Sequence, residues 1–201
     1  MFGCDTIGTS HFEGVPMSIV QSGGKDGGVN LYAHAVSPTQ VSKAFEAVAT
    51  FAPASGLKEA LDDLLADSVD IYFRAHGFHW NVKGQDFSQY HELFQEIYED
   101  LYGSIDPIAE NIRKMNFDAP FDIRDFARLS SIPGVSAASD PRSMAVDLAK
   151  ALDQLIVCLN KAFQSATVAN EQGIANFVAD RIDRTKKWIW QLSASTATAQ
   201  M

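Results

Sequence analysis

The feature of this sequence that most constrains its fold is an unbroken helical period of apolar residues between positions 87 and 115. Because an α-helix completes one turn in 3.6 residues, apolar residues three and four positions apart lie on one face. The pattern predicts an amphipathic helix of about 28 residues, about 42 Å long. Its apolar face must be covered by other elements. The residues of this face are Phe87, Tyr90, Phe94, Ile97, Leu101, Ile105, Ile108, Ile112 and Met115.

Three further stretches show the same period and predict three more helices. Their expected bounds are Leu57 to about Val82, Pro141 to about Ala166, and about Ile174 to Leu192. The first stretch ends before a Lys83-Gly84 turn, since glycine accommodates the backbone that ends a helix. The next begins where Ser139 or Asp140 can act as the N-cap ahead of Pro141. The last nine residues, SASTATAQM, are uncharged and are expected to fray.

The connections between these helices decide how they pack. Short loops join the first helix to the second and the third to the fourth, which makes each pair antiparallel neighbours. More than 20 residues separate the second helix from the third. Within this connection, Asp122 followed by Ile123, Phe126 and Leu129 predicts a short capped helix. The fold class is therefore all-α, a ferritin-like four-helix bundle with one long crossover.

The first 56 residues differ in character from the remainder. They contain the glycine-rich stretch SGGKDGG and prolines at positions 16, 38 and 53. No long helical period occurs there, so we expect an irregular N-terminal arm with one short helix over 39–50. This divides the chain into an arm, residues 1–56, and a bundle, residues 57–201.

Charge and cysteine content narrow the function classes. The chain carries 16 Lys and Arg against 25 Asp and Glu, a net charge of -9. This charge disfavours binding of phosphate polyanions and favours binding of cations.

No run of 18 apolar residues and no basic, apolar leader occur, so neither a membrane span nor a secretory signal is expected. Two distant cysteines, Cys4 and Cys158, fit free thiols in a reducing compartment, with one disulfide as the alternative. We expect a cytoplasmic protein.

Four residues on the first two predicted helices are candidate metal ligands. His79 lies near the end of the first helix and His91 near the start of the second, across the tight turn. Asp106 and Glu110 are four residues apart on the second helix and share a face. Imidazole and carboxylate groups together bind divalent first-row metals, whereas two thiols are too few for a cysteine site. Taken singly, each of these residues is more often an ordinary packed or surface residue.

The distance between the two halves of this candidate site limits how it can form. Fifteen residues separate His91 from Asp106, which is about 22 Å along one helix. No single metal ion spans that distance, and no helix carries the Glu-x-x-His pair used inside ferritin-type bundles. Two copies packed about a two-fold axis with antiparallel second helices would bring the histidine end of one to the carboxylate end of the other. The spacing allows such a dimer without requiring it.

The stretch FHWNVKGQDFSQYHELFQEIYEDLYGSIDPIAENI carries a recognisable motif: His-Trp before a turn, a second His twelve residues on, and a later Asp-x-x-Ala-Glu. In these residues the chain closely resembles the Dps mini-ferritins, the family named for DNA protection during starvation. The resemblance covers about Leu57 to Ala194 and leaves out the arm. It implies a twelve-subunit shell, built from two-fold dimers, that oxidises Fe(II), preferably with hydrogen peroxide, and stores ferric mineral. The matching residues are His79, Trp80, His91, Asp106, Ala109 and Glu110.

The resemblance also implies a role for each of the matching polar residues. His79 and His91 would be iron ligands from one subunit, at an iron centre on the dimer interface. Asp106 and Glu110 would be ligands from the dimer mate. Trp80 would stand beside this centre and take part in electron or radical chemistry, or would serve only as a packed aromatic residue.

Three further residues qualify this picture. His76 shares the helical face of His79 and is either an auxiliary ligand, a proton carrier or an ordinary histidine. Gln95 stands where many members of the family have Asp or Glu, which implies a weak second iron position. Pro107, next to Asp106, predicts a kink in the second helix.

Two other functions compete with iron oxidation and storage. The first is DNA binding and compaction, as the family name suggests, but the acidic balance and the absence of Lys-rich tails count against it. The second is a structural role in a larger particle, such as a virion, with the 56-residue arm as the docking element.

Overall fold

The structure, a computed structural model, describes residues 37–135 and 140–197, with the side chains of 44–53 excluded. Within these ranges the fold is all-α and contains no strand, as the sequence predicts. The five helices are α1 (Pro38–Asn81), α2 (Phe87–Lys114), α3 (Ile123–Leu129), α4 (Pro141–Val168) and α5 (Gln172–Thr196).

The predicted ends of the central helices are confirmed. The helix α2 spans 28 residues from Phe87. Asp122 caps α3, because its side chain accepts a hydrogen bond from the Arg124 backbone N–H. Of the two proposed caps for α4, Asp140 acts as the N-cap and forms a capping box with Ser143, which satisfies backbone donors that the first turn leaves unpaired.

The first helix is longer than predicted. In place of a short helix over 39–50 and a separate start at Leu57, α1 runs without interruption for 44 residues from Pro38. The start signal is a capping box: Ser37 Oγ accepts from the Gln40 backbone N–H, while the Gln40 side chain accepts from Ser37 N–H. Pro53 lies inside this helix; a proline there costs about 3 kcal/mol but does not oblige the chain to leave the helix.

The C-terminal end also departs from expectation. The sequence predicts fraying from Ser193, yet α5 continues through Thr196. The hydroxyls of Ser195 and Thr196 donate to carbonyls of the preceding turn, and Tyr90 Oη donates to the Ser195 carbonyl at 3.0 Å. The hydroxyl bonds stabilise the last turn of α5, and the Tyr90 bond holds it against α2. Residues 198–201 and the glycine-rich stretch of the arm lie outside the described residues.

The helices pack around one apolar core. The helix α1 packs against α2 and α4, α4 packs against α5, and the short α3 lies on α1. Most residues of the predicted apolar faces are buried. Phe87 and Phe163 are exceptions, since both are exposed. On α5 the buried face includes Arg181 and Trp188, which the apolar period alone does not identify.

The long crossover is fastened to α1 by a buried carboxylate. Asp67 is completely buried and accepts hydrogen bonds from Ser130 Oγ and from both the backbone N–H and the Oγ of Ser131. Nearby, Arg74 donates to the Pro133 carbonyl and, at 3.0 Å, to Asp147 on α4. These bonds hold α1 against both the crossover and α4.

None of the helices in the described ranges is both long and apolar enough to cross a membrane.

Candidate metal centre

The two candidate histidines meet where α1 ends and α2 begins. His79 lies in the last turn of α1, and His91 lies in the second turn of α2. The connection is only five residues long, and Gly84 within it has a φ of 114°, a backbone conformation that non-glycine residues rarely adopt. The tight turn therefore brings residues twelve positions apart into contact.

His79 and His91 bind each other's backbone. His79 Nδ1 lies 2.9 Å from the His91 carbonyl oxygen, and His91 Nδ1 lies 2.9 Å from the His79 carbonyl oxygen. Since a carbonyl oxygen can only accept, each Nδ1 must carry the hydrogen. In the neutral ring this leaves Nε2 with a free lone pair, the form in which imidazole binds a metal.

Aromatic rings fix the orientation of the histidine pair. The two imidazoles are stacked, with their centroids 3.7 Å apart and their planes 23° from parallel. The Phe87 ring stacks on the outer face of His91 at 4.8 Å, and the edge of Tyr98 meets His79 at 5.3 Å. Both imidazoles are therefore fixed by packing as well as by hydrogen bonds.

The two candidate carboxylates lie elsewhere on the same helix. Asp106 and Glu110 are exposed and one helical turn apart. Fifteen residues along α2 place Asp106 about 22 Å from His91. In the described part of the chain, no three His, Cys, Asp or Glu side chains are close enough together to hold a metal ion. Within one chain the candidate histidines and the candidate carboxylates therefore lie too far apart to bind the same ion.

Gln95 lies one turn beyond His91 and is half-buried. Its amide Nε2 donates to Glu99 Oε1 at 2.8 Å. A neutral amide offers a metal only its carbonyl oxygen, a weaker donor than a carboxylate. Gln95 therefore offers a cation beside His91 a weaker ligand than Asp or Glu would offer at the same position.

Trp80 and His76 lie next to the histidine pair on α1. Trp80 is 63% exposed, so in a single chain it is not a packed core residue. Its ring lies 4.2 Å from that of His76, which in turn stacks on Tyr98 at 4.1 Å. Burial, and to a smaller extent the charge of His79, lowers the pKa of His76. The neutral imidazole is favoured there.

Three tyrosines, Tyr72, Tyr98 and Tyr102, lie beside the histidine pair, and an inspection of the sequence for metal ligands does not identify them. Tyr98 contacts both His76 and His79, and Tyr72 contacts Tyr98 and Tyr102. The available signal is spacing, because Tyr98 follows His91 by seven residues and so lies two turns further along the same face.

Two other sequence features have less to do with the site. The helix α2 continues through Pro107 to Lys114, so the proline does not end it, and a kink there stays a prediction.

Cys158 is a buried free thiol in α4. Burial, together with the nearby carboxylates of Asp67 and Asp63, raises its pKa to about 12. Cys4 lies outside the described residues.

Comparisons with known proteins agree with this architecture. The family model described as a ferritin-like domain matches residues 58–201. A DNA protection during starvation protein from Helicobacter pylori is 28% identical over 143 residues, covering 69% of this chain and 97% of its own length. The crystal structure of a Dps protein from Vibrio cholerae O1, described as a member of a broad superfamily of ferritin-like diiron-carboxylate proteins, is 27% identical, with a TM-score of 0.69 over 73% of this chain and 92% of that one.

A third comparison bears on the fold alone. The X-ray structure of Dps from Thermosynechococcus elongatus is 21% identical and superposes with a TM-score of 0.72, covering 76% of this chain and 97% of that chain. In each comparison most of the other protein is covered, whereas about a quarter to a third of this chain is not.

Proposed function

Since this chain belongs to the Dps mini-ferritins of the ferritin-like family, we propose that it is a ferroxidase and iron-storage protein. It binds Fe(II) as substrate at centres between subunits, oxidises it with hydrogen peroxide and sequesters the ferric product as mineral. In doing so it removes the two reagents that together damage DNA and other macromolecules.

The observation that carries this proposal is the reciprocal bonding of His79 and His91. Each ring is held in the tautomer that leaves Nε2 free, and the two rings lie side by side. Two neutral imidazole nitrogens are good ligands for a divalent first-row metal. They need acidic partners, because Fe(II) sites of this class also use carboxylates.

The carboxylates come from a second subunit in this proposal. Asp106 and Glu110 lie about 22 Å from the histidines of their own chain, so a dimer with antiparallel α2 helices completes two identical centres. Both carboxylates are exposed, and within the described part of the chain neither forms a side-chain hydrogen bond or an ion pair. Six such dimers would close the twelve-subunit shell of the family.

The two carboxylates in this proposal favour oxidation of the ion. They lower the net positive charge of the occupied centre and so stabilise the ferric state relative to the ferrous state. With two Fe(II) available, peroxide takes two electrons and two protons and leaves as water.

An anaerobic Fe(II) titration of the iron-free protein, followed by peroxide, tests this function. We expect saturable binding of about one Fe(II) per subunit, then a rapid rise in ferric absorbance when peroxide is added. Native mass measurement should give a particle of about twelve chains. Absence of saturable Fe(II) binding, or a ferric signal no faster than in protein-free buffer, would contradict the proposal.

A further inference from the structure

The rings beside the histidine pair form a continuous chain. Tyr98 lies 5.3 Å from His79, and Tyr72 lies 6.3 Å from Tyr98. Tyr102 lies 5.6 Å from Tyr72 and is 66% exposed. Ring contacts of this kind connect a candidate iron ligand to the outer face of α2. Tyrosine is one of the few side chains that can be oxidised by one electron and reduced again.

The position of Tyr98 along α2 shows where this series of rings leads in the proposed dimer. If His91 of one subunit faces Asp106 of its mate, the two-fold axis crosses α2 midway between them, between residues 98 and 99. Tyr98 and Tyr102 lie within about 20° of His91 around the helix axis, so they share its face. Both tyrosines would therefore lie between the two centres of the dimer. Tyr98 would lie beside its symmetry copy, whereas Tyr102 would face position 95 of the mate, about 10 Å along the helix axis from its own copy.

The electron count of the reaction creates a need for such a connection. Reduction of peroxide to two waters takes two electrons, whereas one Fe(II) supplies one. With Gln95 beside the histidines, and its amide already bonded to Glu99, each centre firmly holds a single Fe(II). A lone Fe(II) that reacts with peroxide forms Fe(III), hydroxide and a hydroxyl radical.

We propose that Tyr98 and its symmetry copy, supported by Tyr72 and Tyr102, carry an electron between the two centres of a dimer, so that two single-iron centres reduce one peroxide. This inference rests on the proposed function. It adds two points to that function: each centre holds one iron, and an electron passes between the two centres of a dimer through tyrosine.

The steps balance in atoms and electrons. At one centre peroxide gains one electron from its Fe(II) and one from a tyrosine, takes up two protons, one of them the phenolic proton, and leaves as two waters. The phenoxyl radical then gains an electron from Fe(II) at the other centre and a proton from water. The sum is two Fe(II), one peroxide and two protons giving two Fe(III) and two waters.

The route divides a long transfer into short ones. The two centres are about 22 Å apart along α2, which is too far for a fast single transfer. The ring contacts in each subunit are 4.1 to 6.3 Å between centroids. His76, stacked on Tyr98 at 4.1 Å, links Trp80 to the same chain.

The substitution Tyr98→Phe tests the route, because it keeps the ring and removes the phenol that is oxidised. The assembled protein is loaded anaerobically with about one Fe(II) per subunit and mixed with limiting peroxide. For the wild type we expect about two Fe(III) per peroxide and little trapped hydroxyl radical. For Tyr98→Phe we expect the ratio to fall by about half, with hydroxyl radical captured by a spin trap.

The matched control is Tyr90→Phe. Tyr90 lies on the same helix but is buried, and its hydroxyl donates to the Ser195 carbonyl away from the ring chain. This variant should keep the wild-type ratio. If Tyr98→Phe binds Fe(II) normally and also keeps the wild-type ratio, the proposed route is wrong. If the wild type itself fails to bind or oxidise Fe(II), the proposed function is wrong instead.

Varying the amount of bound iron distinguishes a tyrosine that carries an electron between the two centres from one that only donates an electron to its own centre. At far fewer than one Fe(II) per dimer, most occupied dimers hold one ion, and freeze-quench electron paramagnetic resonance should show a persistent tyrosyl radical. At full loading the radical should decay as the second ion is oxidised. A radical whose yield and lifetime do not depend on loading would overturn the connection between the centres.

Discussion

At the scale of single residues, the backbone selects which nitrogen of each candidate ligand histidine is left free. The His91 carbonyl accepts a hydrogen bond from the Nδ1–H of His79, and the His79 carbonyl accepts one from the Nδ1–H of His91. A side chain that is free to rotate would lose conformational entropy when it binds an ion. These two rings are already held by each other and by the rings of Phe87 and Tyr98.

The first prediction concerns His91→Ala. Loss of one imidazole ligand should lower the initial rate of peroxide-dependent iron oxidation by at least about tenfold. The fold should persist, because the apolar faces of the helices supply most of its stability. Stopped-flow ferric absorbance gives the rate, and circular dichroism checks the helix content.

The control for this prediction is Glu92→Ala, which removes an exposed neighbouring side chain. It should oxidise iron at the wild-type rate. Wild-type kinetics in His91→Ala would remove this residue from the site.

The identity of the candidate ligands can be predicted from sequence, but their geometry cannot. Spacing and residue type make His79, His91, Asp106 and Glu110 candidates, and only the resemblance to the Dps mini-ferritins selects them as a set. The tautomer depends on a contact between two helices across a turn. The ring chain through Tyr72 depends on how α1 packs against α2, and no local pattern reports that packing.

At the scale of elements, a buried ionic cluster joins α2 to α5. Asp100 accepts two hydrogen bonds from Arg181, at 2.9 and 2.7 Å, and one from Trp188 Nε1 at 2.9 Å. Burial by itself would raise the pKa of the Asp100 carboxyl, but the bonds and charge of Arg181, with Trp188, hold it below its usual range. Charge pairing of this kind explains how α5 buries an arginine.

The second prediction is that Asp100→Ala lowers the free energy of unfolding by about 3 kcal/mol, because it leaves the Arg181 guanidinium buried without its partner. Urea unfolding at equal protein concentration measures the change. The control is Asp180→Ala, which removes the exposed Asp180–Arg184 pair and should cost at most about 1 kcal/mol. Equal losses in the two variants would contradict the role of burial.

The third prediction follows from the lowered pKa of Asp100. A carboxylate whose pKa is lower in the folded state stabilises the protein above its unfolded pKa, and this contribution is lost as the pH falls through the folded value. The stability difference between wild type and Asp100→Ala should therefore be full at pH 7 and shrink below about pH 4. Unfolding curves at both pH values check this, and a difference that does not change with pH would contradict it.

The helix α1 shows why the remaining element boundaries were harder to predict. Pro38 and Pro53 suggest breaks in the sequence, yet Pro38 occupies the first turn, where its missing N–H is not needed. The start of the helix is encoded in the capping box between Ser37, the residue before Pro38, and Gln40, two residues after it. By contrast, α2 and α4 have strong apolar periods, α4 also begins with a capping box, and the predicted starts of both helices are confirmed.

At the scale of the whole molecule, the proposed iron centre needs ligands from two chains, because Asp106 lies about 22 Å from His91 along α2. The fourth prediction mixes His91→Ala chains with Glu110→Ala chains, each inactive alone, and refolds them together. In a hybrid dimer both defects fall at one interface centre, and the other centre has a full set of ligands. We expect partial recovery of iron oxidation, and no recovery in verified hybrids would indicate a site within one chain.

The fifth prediction concerns DNA. The chain carries a net charge of -9, and binding to the phosphate backbone depends on the number of phosphates that basic residues neutralise. We expect plasmid DNA to survive Fe(II) and peroxide in the presence of the protein, with no mobility shift in magnesium-free buffer at about 50 mM salt. A tight, salt-sensitive shift would mean that basic residues gather on one face of the assembled particle.

The mutual bonding of the two histidines has a consequence for turnover. Each imidazole keeps its orientation through a backbone carbonyl, so its position does not depend on a bound ion. If the chain oxidises iron as proposed, the two histidines keep their arrangement when the ferric ion leaves, and the next Fe(II) binds without rearranging them. In that case the arrival of Fe(II) and the departure of the ferric product, rather than movement of these two ligands, would set the rate of repeated cycles.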